Sequence, residues 1–145
     1  VLGVLMVAAP LLANPPADKG KYWGDVKTAP AFAIAGGKAV ARLVHEGGSY
    51  MGLLEGSAGL VVPEHIHPES TELLYVLQGG GTMVIDGREA TVRAGMAIQV
   101  PAGIKHSFRI PKDAKERFVA VQVYTVAGPQ TRFRKGKPVP SGDPK

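Results

Sequence analysis

The stretch GLVVPEHIHPESTELLYVLQG, residues 59–79, has the pattern of two strands joined by a turn that contains Pro68. Side chains alternate between the two faces of a strand, so His65 and His67 are expected to point to the same side. Glu72 follows the turn and opens the second strand. The stretch therefore predicts two imidazoles and one carboxylate directed toward a common point.

A second stretch, GMAIQVPAGIKHSFRI at residues 95–110, supplies one more candidate ligand. Its Pro101-Ala102-Gly103 segment predicts a tight turn, and His106 begins the extended run that follows. Imidazole nitrogens with a carboxylate oxygen suit a divalent transition metal, either Fe, Mn, Ni, Cu or Zn, and do not suit the all-oxygen shells of Ca or Mg. The candidate metal ligands are His65, His67, Glu72 and His106.

These residues resemble the cupin superfamily, and in particular a small single-domain bacterial cupin of the Cupin_2 type. The first cupin motif, G-x5-H-x-H-x4-E-x6-G, is matched by Gly59, His65, His67, Glu72 and Gly79. The second, G-x5-P-x-G-x2-H-x3-N, is matched by Gly95, Pro101, Gly103 and His106, with Ile110 in place of Asn. The resemblance implies an all-β fold, the cupin double-stranded β-helix, which is a jelly-roll-like β-barrel. A barrel that has kept these residues without loading metal is the alternative.

Composition and turn signals agree with one small all-β domain. The chain has 145 residues with 19 glycines, 12 prolines and no cysteine, so disulfides, thiolate nucleophiles and cysteine-bound zinc are excluded. Apolar runs between Gly-rich or Pro-rich turns extend from residue 31 to residue 126, and Asp86-Gly87 is a strong hairpin signal. No run has a sustained helical period, so a separate helical DNA-binding domain is not expected.

The amino-terminal segment has a different composition from the rest of the chain. Residues 1–13, VLGVLMVAAPLLA, are too short to span a bilayer and have the length of a signal-peptide h-region. We therefore expect a signal-peptide remnant at residues 1–17, the cupin barrel at 18–128 and a basic Pro-rich tail at 129–145. The expected location is periplasmic or secreted, with no membrane association of the mature form. The alternative is a cytoplasmic protein whose amino-terminal strand pairs with a neighbouring subunit.

The positive charge of the chain is concentrated at its carboxyl end. Of the net charge of +5, the segment after Gly128 contributes +4, from Arg132, Arg134, Lys135, Lys137 and Lys145 against Asp143. The remaining residues are nearly neutral, so nucleic acid is not an expected partner. A Pro-rich basic end of this kind is typical of a solvated tail. Its removal is expected to leave the metal site intact.

Strand alternation also predicts what surrounds the metal. The positions that share a face with the candidate ligands are mostly apolar, including Leu74 and Phe108. Ser107 and Arg109 fall on the face opposite to His106, so sugar phosphates and dicarboxylates are not expected substrates. The polar side chains that could still reach the cavity are Tyr50, Gln99, Gln122 and Tyr124.

Two function classes follow from the resemblance and the predicted pocket. The first is a metal-dependent oxidoreductase, similar to cupin dioxygenases, acting on a small, mostly apolar or aromatic compound. Glu72 is its candidate catalytic residue, as a ligand that can also take a proton from substrate, and a permanent ligand is the other interpretation. The second class is a non-catalytic exported cupin that binds a metal or a small ligand. A homodimer is possible through the outward row Leu73, Tyr75 and Leu77, which packing between the sheets of one subunit would cover equally well.

Overall fold

The computed structural model of the chain describes residues 22–142. The predicted signal-peptide remnant at residues 1–17 lies outside this part, so export stays a prediction. Across the described residues, none of the helices has the length and apolar character that crossing a membrane requires.

The described residues contain eleven strands and two short 3₁₀ helices. The strands are β1 (Ala31–Ile34), β2 (Ala39–Glu46), β3 (Tyr50–Gly56), β4 (Val61–His65), β5 (Glu72–Gln78), β6 (Gly80–Ile85), β7 (Arg88–Arg93), β8 (Ala97–Val100), β9 (His106–Arg109), β10 (Phe118–Tyr124) and β11 (Lys137–Val139). The first 3₁₀ helix is Ala35–Gly37 and the second is Pro129–Lys135.

The strands form two antiparallel sheets that face each other across one core. The larger sheet has the order β11-β1-β2-β3-β10-β5-β8, and the smaller has the order β4-β9-β6-β7. The predicted hairpin turn lies between β6 and β7, where Asp86 and Gly87 both have positive φ, as a tight two-residue turn requires. The expected all-β, double-sheet barrel is confirmed.

Apolar side chains from both sheets fill the interior in two clusters. The first cluster joins Leu74, Val76 and Ala120 of the larger sheet to Met83 and Phe108 of the smaller one. The second cluster lies at one end of the larger sheet and contains Ala41, Leu43, Tyr50, Tyr124 and Phe133. Between them the two sheets leave an open cavity that is described with the site below.

The basic carboxyl-terminal segment packs onto the barrel, which differs from the expectation of a solvated tail. Strand β11 pairs with β1 and is the edge of the larger sheet. The second 3₁₀ helix begins with Pro129, whose ring suits a helix start, and it buries Phe133 in the second core cluster. Charge and proline content suggested a tail here, but the buried ring of Phe133 and the pairing of β11 with β1 anchor the segment.

The outward row of β5 is exposed. Leu73, Tyr75 and Leu77 keep 37%, 50% and 50% of their surface accessible, so packing between the sheets of one subunit does not cover them. Leu73 and Tyr75, together with Val121 and Val123, line a shallow groove on the outer face of the larger sheet. The homodimer expected through this row stays a prediction.

A buried ion network ties β2 and β3 to the start of β10. The Glu55 carboxylate accepts hydrogen bonds of 2.8 Å from both Arg42 and Arg117, and Arg42 and Glu55 are almost fully buried. Glu55→Gln is expected to lower the free energy of unfolding by about 1.5–3 kcal/mol, because a buried charge-assisted hydrogen bond is lost. Urea unfolding measures the loss.

The matched control is Glu89→Gln, which changes the exposed Arg109–Glu89 pair in the same way. Exposed ion pairs contribute roughly 0–1 kcal/mol, so this variant is expected to unfold close to the native midpoint. An equal loss of unfolding free energy in the two variants would show that the buried network stabilises the fold no more than the exposed ion pair does.

Candidate metal centre

The four candidate ligands come from both sheets and meet at one end of the core. His65 is the last residue of β4 and His106 the first of β9, and the two are directly paired across the smaller sheet. Glu72 is the first residue of β5 in the larger sheet. His67 was expected on the same strand as His65, but β4 ends at His65 and His67 lies in the following loop. It is nevertheless buried against the other three.

One ligand atom from each of the four residues lies within 4.8 Å of the other three. The closest approach is 3.1 Å, from His106 Nε2 to Glu72 Oε2, and His67 Nε2 is 3.4 Å from the same oxygen. Nδ1 of His106 donates a hydrogen bond to the Ile104 carbonyl at 3.0 Å, which leaves Nε2 directed at the cluster. The structure therefore brings together every residue that the sequence predicts for the site, and their role as ligands stays a prediction.

The cluster fits a divalent transition ion in two independent respects. His67 Nε2 is buried and has no hydrogen-bond partner, which is costly for a polar atom unless something else satisfies it. The donor set of imidazole nitrogens and one carboxylate oxygen suits Fe, Mn, Ni, Cu or Zn. A cation among these atoms would satisfy His67 and neutralise the buried charge of Glu72.

Gln122 holds Glu72 from the side away from the histidines. Its Nε2 donates a hydrogen bond of 2.6 Å to Glu72 Oε1 and another of 3.0 Å to the Tyr124 hydroxyl. Glu72 Oε2 is thereby left to face the imidazoles. Sequence alternation placed both Gln122 and Tyr124 among the residues that could reach the cavity, but it could not show that Gln122 positions the carboxylate.

The electrostatics keep Glu72 ionised. Burial alone would raise the pKa of Glu72, but the hydrogen bonds from His106 and Gln122 and the nearby His67 ring outweigh burial and hold this pKa well below its usual range. A carboxylate with so low a pKa is a weak proton acceptor. This environment favours a permanent ligand over a general base.

The pKa values of His106 and His65 are shifted in opposite directions. Burial would lower the pKa of His106, but its hydrogen bonds to Glu72 and the Ile104 carbonyl raise the pKa above the ordinary value. Burial lowers the pKa of His65, and the nearby charges of His106 and Arg132 lower it further. Metal binding requires neutral imidazoles, and the lowered pKa of His65 favours this neutral form more than the raised pKa of His106 does.

A cavity of about 410 Å³ opens directly beside the cluster and reaches His65, Glu72 and His106. Its wall is largely apolar, as strand alternation predicted, and includes Ile34, Leu54, Leu60, Val62, Leu74, Met83, Ile98, Phe108, Phe118 and Phe133. This volume suits a compound of one or two aromatic rings.

Three polar residues lie where the sequence-based expectations did not place them. Ser107 was expected on the far face, but it lines the cavity rim. Gln99 lies on the outer groove of the larger sheet and does not line the cavity. Arg132, which belongs to the segment assigned to a solvated tail, lines the cavity. Arg109 does face outward as expected and pairs with Glu89.

Comparison with known proteins agrees with the fold and the motifs. The family model described as Cupin domain matches residues 52–122. A protein named polyketide synthase CurC from Streptomyces cyaneus is 34% identical over 70 residues, which are 48% of this chain and 46% of that protein. Quercetin 2,3-dioxygenase of Bacillus subtilis is 39% identical over 56 residues, which are 39% of this chain and 17% of that protein. The matches therefore span about half the length of the first relative and a smaller part of the second.

Among solved structures, an RmlC-like cupin from Shewanella frigidimarina superposes with a TM-score of 0.66. The match covers 77% of this chain and 96% of that one, with 15% sequence identity, so it bears on the fold alone. The family match, the two-sheet barrel and the neighbouring fold together show that this chain carries a small domain of the cupin superfamily.

Proposed function

We propose that this protein is a metal-dependent oxidoreductase of the dioxygenase type that acts on a small, mostly apolar or aromatic compound. The observation that supports it most is that three residues of the His65, His67, Glu72 and His106 cluster line a largely apolar cavity of about 410 Å³. A compound in that cavity would contact the cluster. The matched relatives include a quercetin dioxygenase and a polyketide synthase protein, whose names agree with this class of compound.

The residues divide into those that hold the metal and those that shape the cavity. His65, His67, Glu72 and His106 hold the ion, which when bound supplies a Lewis acid and, for Fe, Mn, Ni or Cu, a redox centre. Gln122 orients Glu72 by the hydrogen bond to Oε1. The apolar wall excludes water and aligns the flat face of a ring by contact with side chains such as Phe108.

A non-catalytic exported cupin that binds a metal or a small ligand is the second candidate. The observation that favours it is the pair of hydrogen bonds from His106 and Gln122 to Glu72, which keeps this carboxylate ionised and fixed. An ionised carboxylate in a fixed position can bind a metal in a protein that catalyses no reaction as well as in an enzyme. The two candidates differ in whether oxygen is consumed when a compound occupies the cavity.

Oxygen uptake by the metal-loaded protein separates the two candidates. Residues 18–145 are loaded in turn with Fe, Mn, Ni or Cu and mixed with quercetin and smaller phenolic compounds in an oxygen electrode. Leu74 lines the cavity, so Leu74→Trp is expected to lower uptake at least about tenfold by filling it, with the metal content unchanged. Its neighbour Leu73 faces outward, so Leu73→Trp is expected to keep both activity and metal.

Folding of both variants is checked by the midpoints of their thermal unfolding. Near-stoichiometric metal without oxygen uptake from any compound in the set would overturn the enzyme proposal in favour of the binding protein. Equal uptake by the Leu74→Trp and native proteins would show that the reaction takes place outside the cavity.

A further inference from the structure

Arg132 places a permanent positive charge at the cavity. It lies in the second 3₁₀ helix, one residue before Phe133, whose buried ring fixes this helix against the barrel. Among the described residues that line the cavity, Arg132 is the only arginine or lysine. It is also outside residues 52–122, which the cupin family model covers.

The guanidinium of Arg132 has no anionic partner within the described chain. No carboxylate of residues 22–142 lies within 4.0 Å of it, whereas its neighbour Arg134 is paired with Glu46. Its polar contact is the Tyr124 hydroxyl, at 3.4 Å from Nη2. A guanidinium has five N–H donors, so most of its hydrogen-bonding capacity remains available to a molecule in the cavity.

A row of contacts connects Arg132 to the metal cluster. From Arg132 the row passes through the Tyr124 hydroxyl to Gln122 Nε2, 3.0 Å away, and then to Glu72 Oε1, a further 2.6 Å. The ring of Tyr124 also packs against the ring of His67, with 4.9 Å between centroids. Arg132 lines the same cavity as His65, Glu72 and His106. A molecule in contact with the cluster can therefore also reach Arg132.

We propose that Arg132 is a specificity-determining residue that binds a carboxylate on the substrate, so that the substrate is an apolar or aromatic carboxylic acid. This inference rests on the proposed function, in that it takes the cavity as the substrate site. The apolar wall accepts the body of the compound, and the guanidinium pairs with its ionised oxygens. The sequence-based expectation against sugar phosphates and dicarboxylates considered only Arg109 and Ser107 as anion-binding residues and did not include Arg132.

Two probes of the same shape test the proposal: 2-naphthoate, which carries the carboxylate, and 2-naphthamide, which is neutral. Their dissociation constants are measured by isothermal titration calorimetry at pH 8 with metal-free protein, so that a carboxylate cannot gain affinity by coordinating an ion. The native protein is expected to bind the acid about tenfold more tightly than the amide, which is the effect of one partly exposed charge-assisted contact.

Arg132→Gln is expected to weaken 2-naphthoate about tenfold and to leave 2-naphthamide unchanged. The matched control, Arg134→Gln, removes the same charge from the same helix at a residue outside the cavity lining, and both affinities are expected to stay native. Thermal melting of each variant verifies the fold. Unchanged naphthoate affinity in Arg132→Gln, an equal loss in Arg134→Gln, or no naphthoate binding by the native protein would each overturn the proposal.

The naphthoate binding test can succeed or fail independently of the oxygen-uptake test of the proposed function. Binding to metal-free protein requires no turnover, so a naphthoate preference that depends on Arg132 would stand even if the metal-loaded protein consumes no oxygen. Oxygen uptake with neutral phenols and an unchanged naphthoate affinity in Arg132→Gln would support the enzyme and overturn the carboxylate site.

Discussion

Replacing Glu72 and His106 together with alanine is expected to reduce bound transition metal from near one ion per chain to background. The two changes remove the only candidate oxygen ligand and one of the three imidazoles of the cluster. Loss of a residue that only hydrogen-bonds to a metal ligand lowers the metal affinity about 10–100-fold. Loss of two ligands is therefore expected to lower it more than about 100-fold. The result is measured by elemental analysis of protein expressed without residues 1–17.

The matched control changes one glutamate and one histidine that lie outside the cluster. Glu64 is exposed on β4 and His45 lies on β2, so Glu64→Ala with His45→Ala is expected to keep the native metal content. Circular dichroism verifies that both double variants keep their strands. The same metal content in the two double variants would place the ion elsewhere on the chain and contradict the assignment of the cluster.

The identity of the metal bears on the two function classes. Near-stoichiometric Fe, Cu, Ni or Mn that disappears in the Glu72→Ala, His106→Ala variant would supply the redox centre that the oxygenase proposal requires. Tightly held Zn has no redox chemistry and would leave binding or hydrolytic roles. No metal after reconstitution of the native protein would contradict the enzyme proposal and leave a cavity for another ligand.

The convergence of the four metal-site residues could be predicted from the sequence because their spacing is tied to local chain geometry. Turn residues around Pro68 and Pro101 determine where Glu72 and His106 re-enter strands, and the Asp86-Gly87 pair determines one hairpin. These signals act over a few residues, whereas the packing of the two sheets that brings the ligands together was implied by the resemblance to cupins.

Strand alternation predicted side-chain directions less well where the strand is irregular. The pairing of β4 with β9 shifts register between Val62 and His65, across Pro63, which has no N–H to donate to a neighbouring strand. The period of two is interrupted there, and His67 falls in a loop. On the partner strand β9, Ser107 reaches the cavity rim although simple parity assigns it to the opposite face.

The position of Arg132 could not be predicted, because it depends on contacts between segments far apart in the sequence. Its helix is held by Phe133 packing against residues of β2, β3 and β10, and by the pairing of β11 with β1. Nothing local in a basic, Pro-rich segment indicates such contacts, and the composition by itself is typical of a solvated end.

Ending the chain after Gly128 is expected to lower the free energy of unfolding by more than about 5 kcal/mol, because the deletion removes core and sheet together. Phe133 is almost fully buried, and loss of such a ring alone costs about 3–5 kcal/mol. The deletion also removes β11, which covers the edge of β1. Many domains have a total stability of about 5–15 kcal/mol, so we expect the truncated chain to be largely unfolded at 37 °C.

Two further variants apportion this loss, which is measured by urea unfolding followed by circular dichroism. Ending the chain after Gly142 removes only residues 143–145, keeps β11, and is expected to leave the native midpoint unchanged. Phe133→Ala in the full-length chain is expected to lie between the two. A chain ending after Gly128 that unfolds at the native midpoint would show that residues 129–139 add nothing to the barrel. The packing of Phe133 would then be too weak to hold Arg132 at the cavity.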